Sequence, residues 1–182
     1  MSPSEQTRSE PSEKKGIHGL APIVGEQPHI LILGSMPGAQ SLASQQYYAH
    51  SGNAFWKVME RLGIAKTSDA YTVRTQQLKD ESVALWDALQ SCERASSMDK
   101  DIVPSSEAGN DFVSFLTEHR TIHAIFFNGA KAEEAFRRHA LPAIQAAGLP
   151  VPLLMRLPST SPAHAVSLAQ KVDAWRAILG EF

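Results

Sequence analysis

The chain has 182 residues, 43% apolar and 20% charged, enough to bury one core and short for two domains. Its single cysteine, Cys92, excludes a disulfide framework and a four-cysteine metal or cluster site within one chain, and it fits a reducing compartment. A formal net charge of −2 supplies no overall basic field, so affinity for nucleic acid must come from local groups.

Met1 to Lys15 is rich in Ser, Glu, Lys and Pro with hardly an apolar side chain, so residues 1–16 read as a disordered tail and 17–182 as one domain. His29 to Leu33, bounded by Pro28 and Gly34, is an apolar run that suits a fully buried strand. From Ala54 the period changes. Phe55, Val58, Met59 and Leu62 fall at helical spacing, Asn53 stands where an N-cap stands, and Gly63 ends the run. Tyr71 to Lys79 reads as a polar helix. Ser82 to Leu85 reads as a second strand, with Trp86 and Asp87 at its end. Asp111 caps a helix carrying Phe112, Phe115 and Leu116. Thr121 to Phe127 is the strongest strand signal. It runs through Asn128-Gly129 into a helix with Ala132, Ala135 and Phe136 inward and Lys131, Arg137 and Arg138 outward. Leu153 to Leu157 reads as a fourth strand. Ser161 as cap and Pro162 at the first helical position open a final helix, whose buried stripe is Leu168, Val172, Trp175 and Leu179.

Strands alternating with helices imply βαβ units and a parallel sheet covered on both faces. Ligands of such sheets bind beyond the carboxyl ends of the strands. The loops leaving those ends begin at Gly34, at Asn128-Gly129 and at Pro158, and they should converge in space. No run of about 18 apolar residues and no signal-peptide pattern occurs, which makes the cytoplasm the default location. The seven histidines are scattered without ligand spacing, so neither metal nor cofactor is expected.

Taken together the loops resemble the uracil-DNA glycosylase superfamily, and within it the hypoxanthine (deoxyinosine) branch. Gly34 to Gly38 (GSMPG) is similar to its first motif, and Tyr47 to Trp56 (YYAHSGNAFW) to the loop and helix start that follow. Ala84 to Arg94 (ALWDALQSCER) resembles a second-strand segment of the branch. Phe126 to Gly129 (FFNG) resembles the base-reading loop, and Leu157 to Ala165 (LPSTSPAHA) the DNA-engaging motif. The resemblance covers about Ile17 to Trp175. It implies a three-layer α/β/α sandwich with a central four-stranded parallel sheet, no cofactor, and a monomer acting in base-excision repair on DNA that holds a deaminated base. Two departures stand out. Mismatch-specific relatives have an asparagine where this chain has Met36, and a thioether is only a weak acceptor for a water. The Pro-Arg usual before the branch's asparagine is Ser51-Gly52 here.

A glycosylase must flip a base from the duplex, hold it and break its bond to C1′. The resemblance assigns the water-positioning role to Asn53; as a residue it suits helix capping equally well. Tyr48 is a stacking face for the base or half of a pair with Tyr47. Asn128 reads a base edge or merely closes an Asn-Gly turn. By the resemblance Gly34, Ser35 and Met36 border the base, with Pro37 and Gly38 on the DNA side; as residues they suit an ordinary strand-to-loop glycine turn equally well. Ser159, Thr160 and Ser161 offer hydroxyls and a helix N-terminus to phosphate, or Ser161 simply caps. His164 enters the stack, meets phosphate, or is solvated. Asp87 pairs with Arg94 near the site or has a structural role, the reading preferred here, and no lysine stands in a motif loop to form a Schiff base. The expectation is a monofunctional glycosylase acting on hypoxanthine. The alternatives are a uracil or mismatch-specific enzyme, or a catalytically silent nucleic-acid-binding module of the same fold.

Overall fold

The computed structural model describes residues 16–180. The expected tail lies outside the described residues apart from Gly16. In chain order the elements are β1 (Gly16–His18), β2 (Ile30–Gly34), α1 (Ala39–Ser44), α2 (Phe55–Arg61), α3 (Tyr71–Asp80), β3 (Val83–Asp87), β4 (Leu89–Glu93), β5 (Ala108–Gly109), α4 (Phe112–Glu118), β6 (Ala124–Asn128), α5 (Ala130–His139), α6 (Leu141–Ala146), β7 (Leu153–Leu157) and α7 (Leu168–Trp175). None of these helices is long and apolar enough to cross a membrane.

The middle layer is a four-stranded parallel sheet in the order β3-β2-β6-β7. The β2 run is buried throughout because its alternate side chains serve two cores. Leu31 and Leu33 pack with α4, α5 and α6, through residues such as Phe112, Phe136 and Ile144. Ile30 and Ile32 pack with α2, α3 and α7, through Phe55, Leu78 and Trp175. The result is the three-layer α/β/α sandwich. Asp111 caps α4 as the sequence suggests, its carboxylate accepting from the Ser114 N–H at 3.0 Å.

Four features differ from the expectations. The final helix starts at Leu168. A capping box of Ser167 and Gln170 starts it, and residues 159–163 instead form hydroxyl turns in which the Ser161 N–H donates to Ser159 Oγ and the Ala163 N–H to Ser161 Oγ. Ser161 is therefore no helix cap, and no helix N-terminus backs the Ser159–Ser161 segment. Leu179 is 54% exposed, because α7 gives way at Arg176 to a 3₁₀ turn whose tighter winding buries Ile178 instead. Lys131 is not a solvated surface cation. It donates to Glu107 at 2.6 Å, in a cluster that His139 joins at 2.8 Å. Finally, Leu89 to Glu93 is a separate strand, β4. It turns away from the parallel sheet and pairs antiparallel with β1 and β5. Cys92 packs there, opposite Ile17.

Candidate active site

In the sheet β2 lies between β3 and β6, and the connections after β2 and β6 leave for opposite faces. The carboxyl ends of those two strands therefore part to leave a crevice. A cleft of about 630 Å³ opens there. Gly34, Ser35, Met36, Pro37, Gly38, Tyr48, Asn53, Asn128, Ser159, Thr160, Ser161 and His164 all line it. A smaller cavity of about 410 Å³ lies at the amino ends of the strands, beside Ile30 and Val83, where no motif loop reaches.

The loop after β2 is gripped from behind. Ser35 Oγ donates to Asp99 Oδ1 at 2.6 Å, the Ala39 N–H donates to Ser97 Oγ at 3.0 Å, and Arg94 Nη2 donates to the Pro37 carbonyl. Gly38 starts α1, its carbonyl accepting from the Leu42 N–H. Met36 is 6% exposed and belongs to the core under the loop, so an apolar side chain there packs rather than meeting a water.

Asn53 is fixed on both sides. Its N–H donates to the His50 carbonyl and its Oδ1 accepts from the Phe55 N–H, each at 2.9 Å. The side chain thus caps the start of α2 although Ala54 occupies the formal cap position. One lone pair of Oδ1 and the amide hydrogens remain for the cleft. Gly52 explains how Ser51-Gly52 fits. A Cβ there would come within 3.0 Å of His50 Cε1 and 3.5 Å of Pro162 Cβ, so the loop closes on itself with His50 Nδ1 accepting from the Gly52 N–H. Tyr48 sits at φ +54°, a conformation an aromatic residue rarely adopts. Its ring stacks on Phe55, centroids 4.1 Å apart and 22° from parallel. Tyr47 is buried and faces away, its hydroxyl donating to the Ala21 carbonyl at 2.9 Å, so the two tyrosines do not stack.

Thr160 joins three loops. Its N–H donates to Asn128 Oδ1, its Oγ1 accepts from Asn128 Nδ2, both at 2.8 Å, and its carbonyl accepts from the Ala54 N–H at 2.9 Å. It is wholly buried, so its hydroxyl fixes Asn128 and is not presented to a phosphate. The Asn128 amide keeps one N–H and one lone pair beyond the pair with Thr160. Gly129 permits this closeness: its φ is +94°, and a Cβ would lie 3.0 Å from that of Ser159. Two buried groups hold the loop from below, Lys171 Nζ donating to the Ser161 carbonyl at 3.2 Å and Trp175 Nε1 to the Pro158 carbonyl at 2.9 Å. Burial lowers the Lys171 amine below its usual pKa. His164 is exposed at the rim.

The family model of the uracil DNA glycosylase superfamily matches residues 22–179. The chain belongs to that superfamily. It is similar to a protein of Methanosarcina barkeri named hypoxanthine DNA glycosylase, 32% identical over 158 residues that cover 86% of this chain and 94% of the relative. A second protein of that name, from Methanosarcina acetivorans, is 35% identical over 64% of this chain and 73% of its own length. The solution NMR structure of a candidate uracil DNA glycosylase from Methanosarcina acetivorans superposes with a TM-score of 0.71 at 28% identity. That match covers 91% of this chain and all of the other.

Two parts of this superfamily member's cleft carried little signal in the sequence. The 3₁₀ turn from Asp99 to Asp101 and the residues before it bring Ser97, Met98, Asp99 and Lys100 into the lining beside the loop after β2, and nothing in their order marks them. Asp87 is the second. The register of β2 with β3 sets it beside Gly34, and it is buried at the cleft floor. A Cβ on Gly34 would collide with Asp87 Oδ1 and stand 3.1 Å from Tyr48 Oη, so the bare glycine makes room for both. The alternative of a pair with Arg94 does not form. Arg94 turns to the Pro37 carbonyl, and its Nη1 and Asp87 Oδ2 are enclosed without partners among the described residues. Burial, helped by the negative charge of Asp99 and opposed by Arg94, pushes the Asp87 carboxyl up to about 7. An acidic residue ending a strand beside a crevice was the available clue.

Proposed function

We propose that the protein is a DNA glycosylase that hydrolyses the bond between C1′ and hypoxanthine in DNA, without cutting the strand. The observation that carries this reading is the convergence of Asn53, Tyr48, Asn128 and the β2 loop on one cleft, in a chain whose relatives bear the name hypoxanthine DNA glycosylase. As the bond loosens, the sugar becomes oxocarbenium-like and needs a placed water more than a strong base. Asn53 suits that task. The Phe55 N–H fixes its oxygen and leaves a lone pair to hold the water. Phe55 backs Tyr48, whose ring offers the base a stacking face in the cleft. Asn128, held in plane by Thr160, offers its amide to the edge of the base, while Gly34 and Ser35 border it. Ser159, Ser161, Pro37, Gly38 and His164 form the rim that takes the DNA backbone and the gap left by the flipped nucleotide. We place the enzyme in the cytoplasm and take it to act as a monomer.

The test is base release from labelled duplexes carrying one hypoxanthine, uracil, xanthine or adenine, followed by hot alkali. Alkali-dependent cleavage at hypoxanthine that Asn53→Ala abolishes is the expected result. Cleavage without alkali would instead indicate a lyase, with Lys100 at the rim as the amine required. Binding without any base release would favour a silent module of the same fold, consistent with Met36 standing in the core.

A further inference from the structure

We propose that the turn from Ser97 to Lys100 is a DNA-contacting element of the cleft, in which Lys100 grips a phosphate of the strand that carries the flipped nucleotide and Met98 covers the neighbouring sugar. The inference rests on the glycosylase reading above and concerns residues outside the motif loops. The turn belongs to the connection between β4 and β5, which is closed at its neck. There Arg94 and Ile102 form an antiparallel bridge, and the Val103 N–H donates to the Glu93 carbonyl at 2.9 Å. The polar side chains within the loop hold it in shape. Ser96 Oγ donates to Asp101 Oδ2 and accepts from the Met98 N–H at 3.0 Å. Ser97 Oγ accepts from the Ala39 N–H, and Asp99 Oδ1 accepts from Ser35 Oγ. The turn is thereby fixed to the loop after β2, with the Ser97 side chain 3.8 Å from where a Cβ of Gly38 would stand.

Two side chains of the turn stay uncommitted, and both line the cleft. Met98 is 40% exposed, and of the large exposed apolar side chains among the described residues it alone lies in this cleft. Lys100 is exposed and makes no hydrogen bond or ion pair among the described residues. Among those residues it is also the one lysine or arginine that lines the cleft, alongside the carboxyl groups of Asp87 and Asp99. Other cations are engaged elsewhere: Lys131 with Glu107, Arg137 with Glu133 and Lys171 with the Ser161 carbonyl.

A chain of formal charge −2 has no general field that would draw a polyanion into a cleft holding two carboxyl groups, so a local cation has to do it. A free ammonium on a flexible stem takes a phosphate as a point charge, without a fixed direction of approach. The strand that delivers its nucleotide to the cleft must cross the cleft mouth, so its phosphates are the ones a lining residue meets. Met98, two positions from Lys100, then meets the sugar beside that phosphate, and its unbranched thioether adapts to the shape. Because the turn is braced before DNA arrives, little ordering opposes the contact.

The test is binding to a duplex with one tetrahydrofuran abasic site, and to the matching single strand, over about 50–200 mM salt. Wild type is compared with Lys100→Gln, Lys100→Arg and Met98→Ala; these side chains are exposed, so the fold is kept. Lys100→Gln should bind both DNAs about 3–10-fold more weakly. Its slope of log affinity against log salt should be shallower by about 0.9 on the duplex and about 0.7 on the single strand. Lys100→Arg should restore the slope. Met98→Ala should lose about threefold in affinity at an unchanged slope. Single-turnover release of hypoxanthine at saturating enzyme should match wild type in all three. Unchanged affinity and slope for Lys100→Gln, with base release intact, overturn the inference alone. So does a loss confined to the duplex, which would put the contact on the other strand, or a lower saturating rate at unchanged affinity, which would put Lys100 in the chemistry. Binding by wild type without base release removes the glycosylase reading, and the slope comparison still decides the DNA contact. If wild type neither binds DNA nor releases base, both fall.

Discussion

Asp87→Asn should raise the stability of the protein, and raise it more at higher pH. The wild-type carboxyl ionises near 3.8 in the unfolded chain and near 7 in the folded one. Below 3.8 both states hold the proton and the residue has no adverse effect. Between the two values folding has to take up a proton. Above 7 folding buries the charge, and the stability present in acid is lost in full. A displacement of about 3 pH units at about 1.36 kcal/mol each sets an upper limit near 4 kcal/mol. Relaxation and water entry reduce it, so the expected gain is about 2–4 kcal/mol at pH 8.5 and about 1 kcal/mol at pH 5. Asn has the same shape, and no hydrogen bond among the described residues is lost in the exchange. Urea unfolding of both proteins from pH 5 to 8.5 reads the gap, which should widen to about pH 8 and then level. In thermal melts it corresponds to roughly 2–4 °C per kcal/mol for a chain of this size. A gap independent of pH, or a variant less stable than wild type at pH 8.5, would refute the account of Asp87 as a strained buried acid.

Other substitutions separate roles that one residue combines. Asn53→Ser keeps an oxygen to cap α2, so stability should stay within about 0.5 kcal/mol. Base release should nevertheless fall by about 100-fold or more, since the shorter side chain misplaces the water; urea melts and gel assays on the same preparation check both. Thr160→Val removes the hydroxyl that accepts from Asn128 Nδ2 and should cost about 1–3 kcal/mol with slower base release, whereas unchanged release would show that Asn128 needs no brace. Glu107→Gln breaks the cluster with Lys131 and His139. Burial alone would raise the Glu107 carboxyl, but those two partners outweigh it and hold it below its usual value. Its stabilisation is thus present near neutrality and lost as the pH falls through the lowered value, so the expected cost of about 1–3 kcal/mol at pH 7 should shrink in acid.

What the sequence determined by itself follows from short-range rules. Apolar runs ending at Gly34 and at Asn128-Gly129 can only be buried parallel strands when helices separate them, and ligands meet such sheets at the carboxyl ends. That reasoning located the cleft, and the loop motifs indicated the superfamily. Roles within the cleft were a different matter, because they depend on contacts between residues far apart in the chain. Thr160 looked like a phosphate ligand until the fold placed it against Asn128, 32 positions away. Ser161 looked like a helix cap because Ser-Pro is a common start, yet the capping box at Ser167 and Gln170 won by satisfying two groups at once. Asp87 read as a structural residue with Arg94 as an alternative partner, and the pairing of β4 with β1 and β5 turns that arginine toward Pro37. Local pattern sets where a strand ends. Only the register of one strand against its neighbour decides that a carboxyl group at such an end stands over a glycine, buried and without a partner.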